Sequence, residues 1–172
     1  MTAKIALIAS AALLVGGIAF AADGPTDPQI AHIAYTAGSL DIEAGKLALR
    51  KSKNASVREF ASEMVRDHAA VNEKALALVT KLGVTPEPNA TSEGLTKQAD
   101  ETRAKLAKLN GKAFDRAYVA NEVAFHNTVN GALKTALIPS ADNGELKSLL
   151  ETGLTLFSEH QKHAEHLSAS LK

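Results

Sequence analysis

Three imidazoles, His68, His126 and His160, stand on helical stripes that otherwise carry Leu, Ile, Val, Phe, Met or Ala. Burying a polar ring without a partner costs about 1–3 kcal/mol, so each ring needs a partner. Neutral imidazoles from separate helices, joined by a carboxylate such as Asp41, make a ligand set for one divalent transition ion. Zinc, copper, iron and nickel all suit it, and the donors do not choose among them. A metal-free alternative uses the same residues as a polar layer of core histidines, bonded to one another, to Asp41, and to Glu122 or Tyr118. Glu43 is a second acidic candidate on the other flank of the first helix, and His163 an outlying one three positions after His160. His32 falls outside its stripe and His166 beside one, which predicts solvated rings.

Other chemistries lack their residues. The chain has no cysteine, which excludes disulfides, thiolate metal sites and thiol nucleophiles. A di-iron carboxylate centre wants two Glu-x-x-His pairs. The chain has none, its Glu to His spacings being five from Glu63 to His68, four from Glu122 to His126 and four from Glu159 to His163. No di-iron centre is expected. There is no Gly-x-Ser-x-Gly elbow and no phosphate-cradling glycine loop. Asp41 and Glu43, two apart on a helix, point in different directions and do not form a facing carboxylate pair.

The elements that must position these groups are helices, because apolar residues recur every three or four positions and no long stretch alternates as a strand would. Helix one opens at Thr26-Asp27-Pro28, with Asp27 placed to cap it, and turns Ile30, Ile33, Ala37, Leu40, Ala44 and Leu47 inward. Lys46, Arg50, Lys51 and Lys53 suit the negative end of its macrodipole. Helix two follows Asn54-Ala55-Ser56 with Val57, Ala61, Met64, His68, Val71, Ala75, Leu78 and Leu82, and ends at Gly83 before Pro86 and Pro88. After a linker from Val84 to Gly94 comes a short helix from about Leu95 to Leu109.

Helix three starts near Lys112, faces inward with Phe114, Tyr118, Glu122, Phe125, His126, Val129 and Leu133, and is closed by Pro139. Helix four, opened by a capping box from Asp142 to Glu145, carries Leu146, Leu149, Gly153, Leu156, His160, His163 and Leu167. Four long amphipathic helices with two short connections predict an all-α antiparallel four-helix bundle, with a short extra helix in the crossover from helix two to helix three.

Chain lengths allow the candidates to meet. Counted from residue 54, Asp41 lies 13 residues before the first turn and His68 lies 14 after it, so they share a level. Counted from residue 141, His126 lies 15 before the last turn and His160 lies 19 after. The lean of helical side chains toward their own N-terminus narrows that gap. The long crossover leaves the level of the second pair relative to the first free.

The 172 residues are 45% apolar and 22% charged, with 19 basic and 19 acidic side chains, no Trp and two Tyr. That balance argues against a nucleic-acid-binding surface. Lys4, the apolar run Ile5 to Phe20 and the small residues of Ala19-Phe20-Ala21 form a signal peptide over residues 1–21, with cleavage expected after Ala21. The run is broken by Gly16 and Gly17 and is too short to span a bilayer, which takes about 20 residues. The mature bundle domain, 22–172, is expected to lack an integral membrane segment and to be periplasmic or secreted.

Four stretches carry a resemblance: Asp41-Ile42-Glu43-Ala44-Gly45-Lys46-Leu47-Ala48; Phe60-Ala61-Ser62-Glu63-Met64-Val65-Arg66-Asp67-His68; Gly111-Lys112-Ala113-Phe114-Asp115-Arg116-Ala117-Tyr118 with His126; and His160. Together they resemble an exported bacterial family known as domain of unknown function 4142, often labelled "predicted outer membrane protein". The resemblance covers nearly all of the mature chain, and Met-Val-x-Asp-His and Phe-Asp-x-x-Tyr are its more specific parts. It implies a ferritin-like bundle, export to the cell envelope and no settled biochemical role. The family's recurrent histidines match His68, His126 and His160, its acidic position matches Asp41, and His163 stands where the family usually has an apolar residue. The sequence holds no strand series with the lipid-facing alternation of a barrel.

The expected function is binding, sensing or a stress role for one divalent metal, zinc, copper or iron, in a buried histidine-rich site. The alternative is a metal-free structural or interaction module of the envelope, capturing a protein partner through the linker Val84 to Gly94. A metal-dependent enzyme ranks third, because it needs an open coordination position and four protein ligands leave little room for one.

Overall fold

The computed structural model of the protein describes residues 24–171. The expected signal peptide and its cut after Ala21 lie outside them. The described chain is all-α: α1 (Asp27–Lys51), α2 (Ala55–Leu82), α3 (Ala90–Ala107), α4 (Gly111–Ala132), a π-helical turn (Leu133–Leu137), α5 (Ile138–Ser140) and α6 (Gly144–Ser170). Helix α1 packs on α2 and α4 on α6, α2 meets α6 and α1 meets α4 to close the bundle, and α3 lies across α1 and α4. No helix among the described residues is long and apolar enough to cross a membrane.

Several helix ends differ from expectation for local reasons. Thr26, not Asp27, is the N-cap of α1, with the Gln29 side chain reaching back to the Thr26 N–H. The Asp27 carboxylate is used elsewhere: it accepts from the Asp142 and Asn143 N–H groups at 3.0 and 2.9 Å, tying the start of α1 to the turn before α6. With the Asp142 backbone held there, Asn143 caps α6, accepting from the Glu145 and Leu146 N–H groups at 2.9 and 3.1 Å. Asn54 caps α2 and Gly83 ends it at φ 65°, a left-handed conformation that glycine adopts without strain. Asn89 caps α3 through the Ser92 N–H, so this helix begins at Ala90 and takes in the second half of the expected linker. Pro139 does not end the fourth long run of helix at once. The preceding turn widens, with the Ile138 N–H bonding to the Leu133 carbonyl five residues back, and helix continues to Ser140.

The inward stripe of α6 is Leu146, Leu150, Gly153, Phe157, His160, Ala164 and Leu167. At three points it runs one residue after the expected Leu149, Leu156 and His163, because each pair of neighbours offers two apolar or aromatic candidates. Asn72 is likewise buried where Val71 was expected, its amide donating to the Tyr35 carbonyl at 3.2 Å and to Ser39 Oγ at 3.1 Å.

Two apolar clusters fill the bundle. One gathers Ile30, Ile33, Leu133, Leu146 and Phe157 with their neighbours; the other gathers Val57, Phe60, Met64, Phe114, Tyr118 and Leu167. Between them, in helix order on every long helix, lie Asp41, His68, Glu122 with His126, and His160. Close approach of α1 to α2 at this level depends on Gly45: a Cβ there would come within 2.9 Å of Val65 Cγ2 and 3.0 Å of the Ala61 carbonyl oxygen. Because a backbone carbonyl cannot move aside cheaply, Gly45→Ala is expected to lower unfolding free energy by about 1–3 kcal/mol. Urea denaturation checks this, and a stability equal to wild type would show that the two helices can separate without cost.

Candidate metal centre

Each expected ligand is buried in the same layer. Asp41 and His68 are 2% exposed, and His126 and His160 are 1% exposed. The three ring centroids form a nearly equilateral triangle, with His68–His126 at 5.6 Å, His68–His160 at 5.5 Å and His126–His160 at 5.5 Å. Imidazole nitrogens about 2.1 Å from a shared ion would place centroids about 3.2 Å from it, and hence about 5.2–5.5 Å apart. Candidate donor atoms of the three rings lie within 4.8 Å of one another.

Asp41 borders the set, with a donor atom that falls within 4.8 Å of donor atoms of Glu122 and His126. Its Oδ2 lies 2.9 Å from His68 Nε2 and 3.5 Å from His126 Nε2. Neither oxygen of Asp41 forms a directed hydrogen bond, and His68 Nε2 forms none either, so these contacts are short but poorly aimed. Two donors on one tetrahedral ion sit about 3.3 Å apart with lone pairs aimed at the ion and not at each other. The contacts with Asp41 bracket that spacing.

Neighbours fix the rings. The backbone carbonyl of Glu122 lies 3.0 Å from His126 Nδ1. Nδ1–H therefore donates to that carbonyl and the unpartnered Nε2 keeps its lone pair. His160 is held the other way round: Nε2–H donates to Asp67 Oδ2 at 3.1 Å, leaving the buried Nδ1 without a partner. Phe157 stacks on His68 with ring centroids 4.5 Å apart and planes 10° from parallel. A carboxylate or carbonyl behind an imidazole is the usual support of a metal-ligating histidine.

Burial and charge set the protonation states. Burial lowers His126 to about 4, with the attraction of Asp41 opposing it, and burial lowers His160 as well, against the pull of Asp67. Both rings are neutral at pH 7. Burial alone would raise Asp41, but His68 and His126 outweigh it and hold the carboxyl well below the usual carboxylate range. Glu122 is pushed the other way, by burial first and then by Asp41, so it keeps its proton well above the ordinary range. Tyr118 is raised by burial and by the same two carboxyls. Arg66 is the main cause that keeps Asp67 low.

Among the described residues, Asp41 Oδ1 and Oδ2, His68 Nδ1 and Nε2, Tyr118 Oη, Glu122 Oε2, His126 Nε2 and His160 Nδ1 are buried polar atoms without a hydrogen-bond partner. A closed layer this rich in unmet donors and acceptors is rare in a folded chain, where buried polar groups are nearly all paired. The alternative layer of mutually bonded histidines is therefore only partly realised: Glu122 and Tyr118 lie in the layer but leave Oε2 and Oη unpaired.

Other candidates separate from the centre. Glu43 is exposed and pairs with Lys46 at 3.0 Å. His163 is 45% exposed and meets Glu63 Oε2 at 2.7 Å, and His166 is exposed. His32 is half-buried, 3.4 Å from Thr36 Oγ1, and not solvated as expected. Two contributors were not assigned from sequence. Glu122 forms a donor group with Asp41 and His126, and its place on the inward face beside His126 was the available signal. Asp67 supports His160 from 93 positions away, and only its adjacency to His68 hinted at a role.

The family model for Domain of unknown function (DUF4142) matches residues 18–167. No curated protein matches the chain. Among solved structures, that of a Streptomyces coelicolor DUF305 protein, described as secreted, is similar at a TM-score of 0.70 and 14% identity. The likeness covers 88% of this chain and 96% of that one, and at such identity it establishes the fold alone.

Proposed function

The chain belongs to the family Domain of unknown function (DUF4142), whose description names no activity, and from the site itself we propose that it is an exported helical-bundle protein that binds one divalent transition metal ion. His68, His126, His160 and Asp41 are the proposed ligands, in a binding, sensing or stress role. The observation that carries this reading is the layer of unpartnered buried polar atoms, of which one nitrogen each of His68, His126 and His160 and one oxygen of Asp41 are the donors a cation would satisfy. Three nitrogens and one oxygen match the borderline donors that zinc, copper and iron accept.

Asp67 and the Glu122 carbonyl would hold two of the rings in the ligating tautomer, and the flanking apolar clusters would keep water out. Export rests on the signal-peptide pattern over residues 1–21, with 22–172 as the mature domain. Its company is a structural neighbour described as secreted.

Elemental analysis of the mature protein, purified without a chelating tag, tests the reading. About one ion per chain is expected after incubation with zinc, copper or ferrous iron. Protein that refuses all three ends it. Ligating imidazoles must be unprotonated, and since burial lowers His126 to about 4 and lowers His160 as well, affinity is expected to hold at about pH 5 and to fall as pH drops toward 4 and below. Calorimetric titration at about pH 7, pH 5 and just below pH 4 measures this, and an affinity that does not fall at the lowest pH would exclude imidazole ligation.

A further inference from the structure

The proposed centre is closed: the His68, Asp41, His126 and His160 side chains are at most 3% exposed. An ion has to reach it through the protein, and a cavity of about 50 Å³ that touches His68 and His126 is otherwise walled almost wholly by apolar side chains such as Ala34, Val71 and Leu150, which offer a cation no donor. A cavity of about 60 Å³ beneath α3 has Asp41 and Glu122 on its floor and Gln98, Thr102, Arg103 and Asn121 on its walls. The Arg103 guanidinium opposes a cation there. On the other side, where α2 meets α6, Glu63, Asp67 and His163 stand partly exposed beside His160.

We propose that Glu63, Asp67 and His163 form an outer cation site that loads the buried centre through His160, an inference that rests on the metal reading above. Glu63 and Asp67 are four apart on α2, and His160 and His163 three apart on α6, so each pair shares a helix face. His163 Nδ1 lies 2.7 Å from Glu63 Oε2, and His160 Nε2 lies 3.1 Å from Asp67 Oδ2. Donor atoms of Glu63, Asp67 and His160 fall within 4.8 Å of one another. Two carboxylates and the His163 imidazole suit the same borderline cations as the centre.

The His163 ring stands edge-on to Phe60, with centroids 5.1 Å apart and planes at 89°, which holds the ring beside Glu63. Arg66, 69% exposed, holds Asp67 from the solvent side and is the group an arriving ion displaces. The second observation lies in His160 itself. Its Nε2–H donates to the outer carboxylate while its Nδ1 is buried and unpartnered in the layer of His68 and His126, so one ring links the two sites.

Stopped-flow mixing of the metal-free protein with Co²⁺, followed by its visible absorption, tests the route. Glu63→Gln and Glu63→Gln/His163→Ala are expected to slow loading by about tenfold or more, the scale of electrostatic focusing, with unchanged final occupancy. Arg103→Glu is expected to leave the rate as it is. Loading at the wild-type rate in both outer variants, or faster loading in Arg103→Glu, overturns the proposal and leaves the centre intact. Wild-type protein that takes up neither Co²⁺ nor zinc, copper or ferrous iron overturns the metal reading and this inference with it.

Discussion

In His68→Ala, bound metal is expected to drop from about one ion per chain to background, because three protein ligands without that ring no longer close a tetrahedral site. The ring sits at the centre of the layer: it contacts Asp41 at 2.9 Å and lies 5.6 and 5.5 Å from the other two imidazole centroids. Its loss also leaves the Asp41 carboxylate with one fewer neighbour favouring its charge. Ligand binding to the folded state alone stabilises it by about 2.7 kcal/mol at a hundredfold excess over Kd. For a chain of this size that is a rise in Tm of roughly 5–10 °C. Wild type should show this rise on adding metal and His68→Ala should not.

The comparison with and without metal matters because a purely structural histidine layer also predicts a destabilised His68→Ala, by about 1–3 kcal/mol, but the same loss under both conditions. Glu43→Gln serves as the control: its carboxylate is 49% exposed and bound to Lys46, so metal content should not change. A metal-dependent rise that survives in His68→Ala would remove this ring from the ligand set.

The three imidazoles were legible in sequence because an aliphatic seam makes each polar exception conspicuous, and helix level could be counted from short turns for Asp41 with His68. The meeting of the two halves was not countable. It depends on α3, whose start at Ala90 is set by the Asn89 cap in a segment that resembles a linker. Stripe phase on α6 was ambiguous by one residue wherever Leu149 and Leu150, Leu156 and Phe157, or His163 and Ala164 compete, yet His160 belongs to both phases and survived the error. Asp67 was invisible as a support because its partner lies 93 residues away on a ring whose orientation no periodicity encodes. The widened turn before Pro139 is similarly a tertiary outcome: it lets both Leu133 and Leu137 stay buried across a residue that cannot donate a backbone hydrogen bond.

Glu122→Gln is expected to make the metal-free protein more stable at pH 8 by roughly 1–3 kcal/mol, with a much smaller gain at pH 5. The folded chain keeps the Glu122 proton well above the ordinary value of 4.5, because burial and Asp41 disfavour a second charge. An unfolded chain releases that proton from about pH 4.5 upward, so the contribution of Glu122 to stability is present below that pH and is lost as pH rises toward the folded value. His126 acts in the opposite direction. Its folded value of about 4 against 6.5 unfolded means that the unfolded chain takes up a proton first as pH falls, costing about 3 kcal/mol between pH 6.5 and 4.

Asp41, held low in the fold, adds its own loss below about pH 3.8. Metal-free wild type should therefore rise only gently in stability between about pH 4.5 and 6.5, where Glu122 opposes His126 and the similarly lowered His160, and weaken above that. Glu122→Gln should keep the acid limb and lose the alkaline decline. Urea denaturation at pH 5 and pH 8 reads both limbs, and a variant less stable than wild type at pH 8 would mean that Glu122 is ionised in the fold. Metal should erase the difference in wild type, since a bound cation favours the ionised carboxyl and supplies the charge that burial and Asp41 withhold.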